Sequence, residues 1–381
     1  MKRSGKYVSN LKGSLSYQSF KPSNLPPYPN INIDDTLSNK IKSAYHLLGE
    51  LNGISKFIPN RDLFISILIR KEALLSSQIE GNQATLNDIF DPNLGQNINN
   101  DIDEVIHYIK AYNYGKSLLK KLPISIRFIK EVHRELLLFQ RGKDKEPGKL
   151  RRLENWIGPA GGTLKNAKFI PPNLDDIHES LKHLEMYIHN YNEIDPLLKI
   201  GLIHYQFETI HPFLDGNGRM GRLLILFLLE HYKLLDNDIL YLSYYLKLNR
   251  FEYYERLMDV RLKGNYEAWL LFFIEGIIES ANHAIDTIDA LFSLKEKHLK
   301  LVNSLTGKQK QTALLLYDYI TVHPIINITK ASITINKSFN TVSNTVNIFI
   351  NLGILVQAKS KKRNRTFIYG SYLDILRDGT N

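Results

Sequence analysis

Apolar residues recur every three to four positions over most of the chain, which is the spacing of amphipathic helices. The pattern begins near Leu37 and continues, with interruptions, to about Leu301. Glycine follows two of the early segments, at Gly53 and Gly81, as expected where a helix ends. The clearest predicted helices span residues 37–53, 61–80, 101–120, 125–139, 174–191, 196–209 and 218–232.

Two stretches break the helical spacing before residue 301. Residues 1–30 hold four prolines and few periodic apolar positions, so they predict an extended arm or a loose tail. Residues 142–172 combine glycine and proline with short apolar runs, and they predict a loop that carries a short hairpin. This hairpin is the only β element that the pattern predicts before the C-terminal region.

The last 75 or so residues follow a different pattern. An amphipathic helix is followed by a short polar helix and a third helix, and two alternating strands then flank a basic loop at 359–365. Three helices followed by a basic two-stranded ribbon is the order of a winged helix-turn-helix. The predicted helices are 308–320, 329–336 and 339–351, and the strands are 354–357 and 366–369.

Composition is that of a folded protein with several domains. The chain has 381 residues, of which 43% are hydrophobic and 23% charged. We predict an N-terminal helical domain at 1–100, a central domain with connecting helices at 101–303 and a winged helix at 304–381. Because cysteine is absent, thiolate metal sites and cysteine nucleophiles are excluded. No secretory signal and no membrane-length apolar run is visible, so we expect a cytoplasmic protein without a membrane partner.

Positive charge is concentrated at one end of the chain. The formal net charge is +10, and residues 304–381 hold ten lysines and arginines against three aspartates. This predicted domain is therefore the candidate for a polyanionic partner such as duplex DNA, and the alternative is a docking or dimer module.

Candidate chemistry is densest in the segment HPFLDGNGRMGR, residues 211–222. Its Gly-Asn-Gly turn opens a helix, and free amides at a helix N-terminus attract anions. Arg219 and Arg222 share one face of that first turn, which is unfavourable for the helix dipole unless a polyphosphate lies there. Asp215 is placed to hold a phosphate-bridging divalent metal, and His211 to act as a general base on a hydroxyl.

This segment resembles the signature of Fic-domain proteins and agrees with it at every constrained position. The resemblance implies an all-helical core that transfers AMP from ATP to a Ser, Thr or Tyr hydroxyl of a protein, with Mg²⁺. It implies His211 as the base, Asp215 as the metal ligand and Arg222 as the anchor of the γ-phosphate. Gly216, Asn217 and Gly218 would form the phosphate nest, in which Asn217 and Arg219 would contact phosphate.

A second motif lies far upstream, at Ser76–Asn82. Glu80 falls in the last predicted turn of a helix, where the dipole disfavours a carboxylate unless a cation lies nearby. The segment resembles the inhibitory motif of the same family, which continues through Gly81 and Asn82. The resemblance implies that Glu80 pairs with Arg222 and excludes the γ-phosphate, with help from Ser76.

A third correspondence is the predicted hairpin. Trp156, Ile157 and Gly158 on one side, with Phe169 and Ile170 on the other, are similar to the family's flap. The resemblance implies that this flap docks a segment of the target protein as an added strand.

Together these features predict a mainly α protein and a self-inhibited protein adenylyltransferase. The sequence does not identify the target, and the chain itself is one candidate. The net direction of AMP transfer also stays open, since relatives of this layout also remove AMP. The alternative is a DNA-binding transcriptional regulator that uses the Fic core as an ATP sensor. The resemblance further implies a homodimer, although no segment of the sequence marks its interface.

Overall fold

The computed structural model describes residues 3–13, 16–56, 61–90, 99–158, 163–191, 193–236, 239–358 and 365–380, without the side chains of 61–63 and 140. Most of the predicted basic loop, at 359–364, therefore lies outside the described residues.

The N-terminal arm forms a hairpin, so the prediction of no β structure before the flap was wrong. β1 (Gly5–Asn10) pairs antiparallel with β2 (Tyr17–Pro22) over their full length. Phe20 is fully buried, and its ring packs against Tyr7 at 5.4 Å between centroids and against Phe169 at 6.0 Å. The arm is thus ordered by packing on a distant segment, which the spacing of apolar residues along the arm does not reveal.

The predicted helices are present, and polar caps fix several of their starts. Asp34, Asn99, Ser125 and Asn173 each accept a hydrogen bond from a backbone N–H in the first turn that follows. The short α3 was not predicted. The helices to residue 303 are α1 (Asp35–Ser55), α2 (Arg61–Ile79), α3 (Leu86–Phe90), α4 (Asn100–Leu119), α5 (Ile126–Leu136), α6 (Leu174–Asn190), α7 (Pro196–Ile210), α8 (Asn217–His231), α9 (Ser243–Leu248), α10 (Arg250–Lys263) and α11 (Tyr266–Asn303).

Helices α7 and α8 lie at the centre of the molecule. Every residue of α7 after Pro196 is buried, and α8 is buried from Arg219 to Leu229. Both helices belong to one hydrophobic core that runs from α1 to the C-terminal elements. The six residues between them, 211–216, are therefore held at both ends by packed helices.

Among the described residues of the predicted flap, Ile157 and Phe169 form an antiparallel bridge, and a short 3₁₀ turn at Leu164–Asn166 lies between them. Residues 159–162 of this segment lie outside the described residues. The N–H of Phe20 in β2 donates to the carbonyl of Ile170 at 2.9 Å, so the N-terminal hairpin borders the flap.

The C-terminal region follows the predicted order of three helices and a ribbon, with two additions. A short strand, β3, precedes the second helix and makes the ribbon a three-stranded sheet in the order β3-β5-β4. A last helix, α15, packs against α11. The elements are α12 (Gly307–Val322), β3 (Ile325–Asn327), α13 (Ile328–Thr334), α14 (Phe339–Asn351), β4 (Val356–Gln357), β5 (Thr366–Ile368) and α15 (Gly370–Arg377).

Among the described residues, no helix has both the length and the apolar content needed to cross a membrane.

Candidate active site

The loop between α7 and α8 begins and ends in left-handed backbone. His211 ends α7 with φ at 49°, and Gly216 precedes α8 with φ at 76°. Among the described residues, no side chain caps the first turn of α8. The amides of this turn are consequently available to an anion, as the sequence predicted.

Side chains brace this loop from the inside. The Asn217 side chain accepts from the N–H of Phe213 at 2.9 Å and donates to its carbonyl at 2.8 Å. Both side-chain polar atoms of Asn217 are therefore bonded within the loop, and its contact with phosphate stays a prediction.

Two residues that the sequence analysis missed complete the bracing. Arg151 is buried and donates through Nε to the carbonyl of His211 at 3.0 Å, while its backbone N–H donates to Pro212 at 2.9 Å. His133 stacks on Phe213 with 3.6 Å between ring centroids. It accepts from the N–H of Gly148 at Nδ1, so its Nε2 carries the proton and donates to the carbonyl of Asp215. Neither residue belongs to a local motif.

His211 is held in its neutral form. Its pKa is lowered to about 4, first by burial and then by the nearby Arg261 and Arg151 cations, while a carbonyl of Glu208 acts in the opposite direction. Its Nδ1 is buried without a hydrogen-bond partner among the described residues, and the ring lines a cleft. The other ring nitrogen, Nε2, is therefore the one that can face the cleft, where a neutral ring could accept a proton.

Arg219 and Asp215 face the same cleft. The Arg219 side chain is only 4% exposed, and it pairs with Glu104 at 3.0 Å and with Asp215 at 3.4 Å. Asp215 is more exposed, and it also accepts from the N–H of Gly216 at 2.6 Å. Its carboxylate can thus bind a ligand in the cleft without leaving the loop.

The two distant motifs meet at Arg222. Its Nη2 donates to Glu80 at 2.7 Å, and its Nε donates to the hydroxyl of Ser76 at 2.8 Å. Burial would raise the pKa of Glu80, but the Arg222 cation, with Arg219 and His211, holds it below its ordinary value. Glu80 is therefore a carboxylate at neutral pH, and it occupies the guanidinium that the motif offers to a phosphate.

The Glu80 carboxylate reaches Arg222 across the backbone of Gly218. A Cβ at that position would lie 2.2 Å from the Glu80 Oε1, so only glycine allows this approach. Beside the contact is a cleft of about 440 Å³. The predicted residues on its wall are Glu80, Gly81, Asn82, His211, Asp215, Gly216, Asn217, Gly218 and Arg219.

Other predicted residues lie away from this wall. Ser76 and Arg222 are buried behind the cleft. The flap residues do not line the cleft. Within the flap, Trp156 is 39% exposed and Phe169 is buried. A buried carboxylate that the sequence analysis missed, Glu208, lies against Gly221 of α8.

Comparison with known proteins agrees with the site. The chain matches the Fic/DOC family N-terminal region over residues 38–117 and the Fic/DOC family over residues 123–229. The loop between α7 and α8 lies within the part of the chain that matches a Fic domain. The chain contains a Fic/DOC family domain preceded by the N-terminal module of that family, which confirms the resemblance.

Named relatives are similar over part of the chain. Proteins named protein adenylyltransferase Fic from Drosophila grimshawi and Drosophila melanogaster are each 32% identical over 126 residues, or 32% of this chain. The matched region spans 23% of the length of the first and 22% of the second.

Two solved structures share the fold. A Fic family protein from Desulfovibrio desulfuricans has a TM-score of 0.58 at 19% identity, covering 89% of this chain and 97% of that one. A Fic domain containing signaling protein from Bacteroides thetaiotaomicron has a TM-score of 0.52 at 19% identity, covering 66% and 97%.

Proposed function

We propose that this chain is a self-inhibited protein adenylyltransferase, which moves AMP from ATP to a Ser, Thr or Tyr hydroxyl of a protein. The observation that carries the proposal is the convergence of His211, Asp215 and the open first turn of α8 on one cleft. The names of the relatives support the same reaction class. The target is either a separate protein or the chain itself.

The transfer is a direct displacement at phosphorus. The target hydroxyl oxygen bonds to the α-phosphorus, the α–β phosphoanhydride bond breaks, and pyrophosphate leaves. The hydroxyl proton passes to Nε2 of His211, which is neutral and faces the cleft. The amides of Gly216–Gly218 and Arg219 stabilise negative charge that develops on the phosphates.

The residues of the cleft fit a magnesium ion bound together with ATP. Mg²⁺ commonly takes one or two carboxylates and completes its shell with phosphate oxygens and water. Asp215 offers one such carboxylate, and the described residues contain no cluster of three or more acidic or histidine ligands that would hold a metal alone. When bound, the ion would neutralise phosphate charge beside Asp215.

Self-inhibition follows from the occupancy of Arg222. Nη2 of this cation is bonded to Glu80 and Nε to Ser76, while Nη1 is buried and has no hydrogen-bond partner among the described residues, so a γ-phosphate would have to displace Glu80 to take its place on the guanidinium. The Glu80 carboxylate would also repel the triphosphate. ATP would then bind weakly or with its α-phosphate away from the hydroxyl.

Labelled ATP tests the reaction. The full chain and Glu80→Gly are incubated with ATP labelled at the α-phosphate and, separately, at the γ-phosphate. We expect α-label on protein, more with Glu80→Gly, and no γ-label. Glu193→Gly, which changes an exposed glutamate elsewhere, is the matched control. Transfer of γ-label, or no α-label with either protein at saturating ATP, would refute the proposal.

A second candidate activity, binding of duplex DNA, rests on the C-terminal region. We propose that residues 304–381 form a winged helix with α14 as its recognition helix. Asn340, Asn344 and Asn347 share the exposed face of α14, and asparagine can read adenine in the major groove. The net charge of +7 in this region favours phosphate. The homodimer and the cytoplasmic location stay predictions.

A further inference from the structure

The chain segment after α15 contacts the helix that carries the inhibitory motif. Glu72 and Ser76 of α2, and Glu80 directly after it, lie along one face toward α4, α8 and α9. Lys71 and Gln78 lie on a neighbouring face, seven residues apart, and that face meets residues 378–380. One helix is therefore shared by the cleft and by the end of the C-terminal region.

Hydrogen bonds link this segment to the residues that follow Glu80, in part through Gln78 of α2. The Gln78 side-chain nitrogen donates both to the carbonyl of Ala84 at 3.0 Å and to the carbonyl of Thr380 at 3.3 Å. Arg377 donates to the side chain of Asn87 at 2.8 Å. Loop 81–87 is thus held from the C-terminal side as well as by its own contacts.

Packing and charge hold the segment in its slot. Gly379 adopts φ of 75° against the ring of Tyr244, where a Cβ would lie 2.2 Å from a ring carbon. Asp378 pairs with His283 at 3.0 Å, and His283 stacks on Tyr244 at 3.8 Å. Burial lowers the pKa of Lys71, a buried lysine of α2, and the charge of Asp378 opposes this lowering. Thr380 is 6% exposed, so the end of the segment is inserted, whereas the Asp378 side chain is 73% exposed and lies at the surface.

We propose that residues 377–380 form a C-terminal latch that keeps α2 and its following loop in the position where Glu80 reaches Arg222. Release of Arg222 requires Glu80 to move, and Glu80 lies two residues from Gln78, which the latch holds. Removing the latch loosens the end of α2 and weakens the inhibitory contact. The inference rests on the proposed function in so far as Glu80 is inhibitory.

Gly379→Val is the variant that expels the latch. The added side chain collides with Tyr244, and the left-handed backbone disfavours valine. Gly370→Ala is the matched control in the same region, since its Cβ would meet only Val356, at an ordinary 3.7 Å. Arg377→Ala, which removes the bond to Asn87, is a second and milder variant.

Hydrogen–deuterium exchange of the full chain reads the latch without reference to catalysis. In Gly379→Val we expect exchange at 76–87 to accelerate at least threefold together with exchange at 371–380, and Gly370→Ala to match the wild type. Faster exchange confined to 371–380 would overturn the proposal. If Gly379→Val does not fold, the same criteria apply to Arg377→Ala.

Incorporation of α-labelled AMP gives the second readout. We expect Gly379→Val to raise incorporation at least threefold, and to add nothing in a Glu80→Gly background. If Glu80→Gly incorporates more AMP than the wild type and Gly379→Val does not, the latch is overturned and the proposed function is left intact. Inactivity of both proteins with faster exchange at 76–87 would support the latch and refute the proposed function.

Discussion

His211 combines a role in the backbone with a role in chemistry. It ends α7 in a left-handed conformation, and Arg151 and His133 hold the loop that it begins. Its imidazole therefore enters the cleft from a rigid support, which is the requirement for positioning a proton acceptor.

Replacing the imidazole should affect the chemical step alone. We expect His211→Ala to lower AMP transfer by about 10²–10⁴-fold, because a positioned general base contributes that much. ATP affinity, measured by calorimetry, should change little, since the phosphate-binding amides belong to α8. The comparison is made in a Glu80→Gly background so that activity is measurable. Residual transfer within threefold of that background would contradict the role.

The Glu80–Arg222 contact predicts a specific pattern of double-variant behaviour. Glu80→Gly should raise transfer because it frees Arg222 for the γ-phosphate. Arg222→Ala removes both the lock and the anchor, so the double variant should resemble Arg222→Ala alone. Automodification by the four proteins across ATP concentrations tests this. Equal activity of wild type and Glu80→Gly would mean that Glu80 is only the residue that follows α2.

Glu208 predicts a pH-dependent stability. Burial raises its pKa to about 7, although Arg222 and Arg261 oppose the shift. The folded state therefore holds a proton that the unfolded state has lost, and the stability due to Glu208 declines as pH rises from about 4.5 through 7. Glu208→Gln should increase the free energy of unfolding by up to ~3 kcal/mol at pH 8 and by much less at pH 5. The melting temperature should therefore rise clearly at pH 8 and little at pH 5.

Thermal unfolding at the two pH values measures the effect. Glu193→Gln, at an exposed carboxylate, is the control and should show no such difference. Equal shifts for Glu208→Gln at pH 5 and pH 8 would contradict the argument.

At the scale of elements, the N-terminal hairpin and the flap form one unit. Phe20 packs on Phe169, and its N–H donates to the neighbouring Ile170. The hairpin thus supports the segment that we expect to dock the target protein.

Truncating this contact should loosen the flap and spare the nucleotide site. In a Glu80→Gly background, we expect Phe20→Ala to lower automodification severalfold at saturating ATP, with ATP affinity unchanged. Tyr28→Ala, at a side chain that is 87% exposed in the same arm, is the control. Parallel losses of ATP affinity and transfer would show instead that Phe20→Ala damages the whole fold.

At the scale of the molecule, the C-terminal region contacts α2, the helix that immediately precedes Glu80. α15 packs on α11, and the C-terminal latch reaches α2, so the described domains share one core. Deleting 304–381 would therefore expose buried surface, and point variants on α14 are the better probes of DNA binding.

We expect the full chain to bind duplex DNA with an affinity that falls steeply with salt, because phosphate neutralisation releases counterions. Asn344→Ala should reduce the preference for adenine-containing duplexes, while Asn303→Ala, at the end of α11, should not. Fluorescence anisotropy at two salt concentrations measures both effects. No binding at low salt would exclude the DNA candidate and favour a docking role for the winged helix.

The sequence by itself determined most of the helices, and it predicted the chemistry of 211–222. Helical spacing, polar caps and a Gly-Asn-Gly turn act over a few residues, so the sequence alone reveals them. The motifs that contain Glu80 and Arg222 are each short and continuous in the sequence as well. Only the tertiary structure decided what depends on distant contacts. Arg151 and His133 brace the loop, Phe20 orders the arm, and Thr380 meets Gln78. Such contacts follow from how the helices pack, because no periodicity within a segment encodes its distant partner.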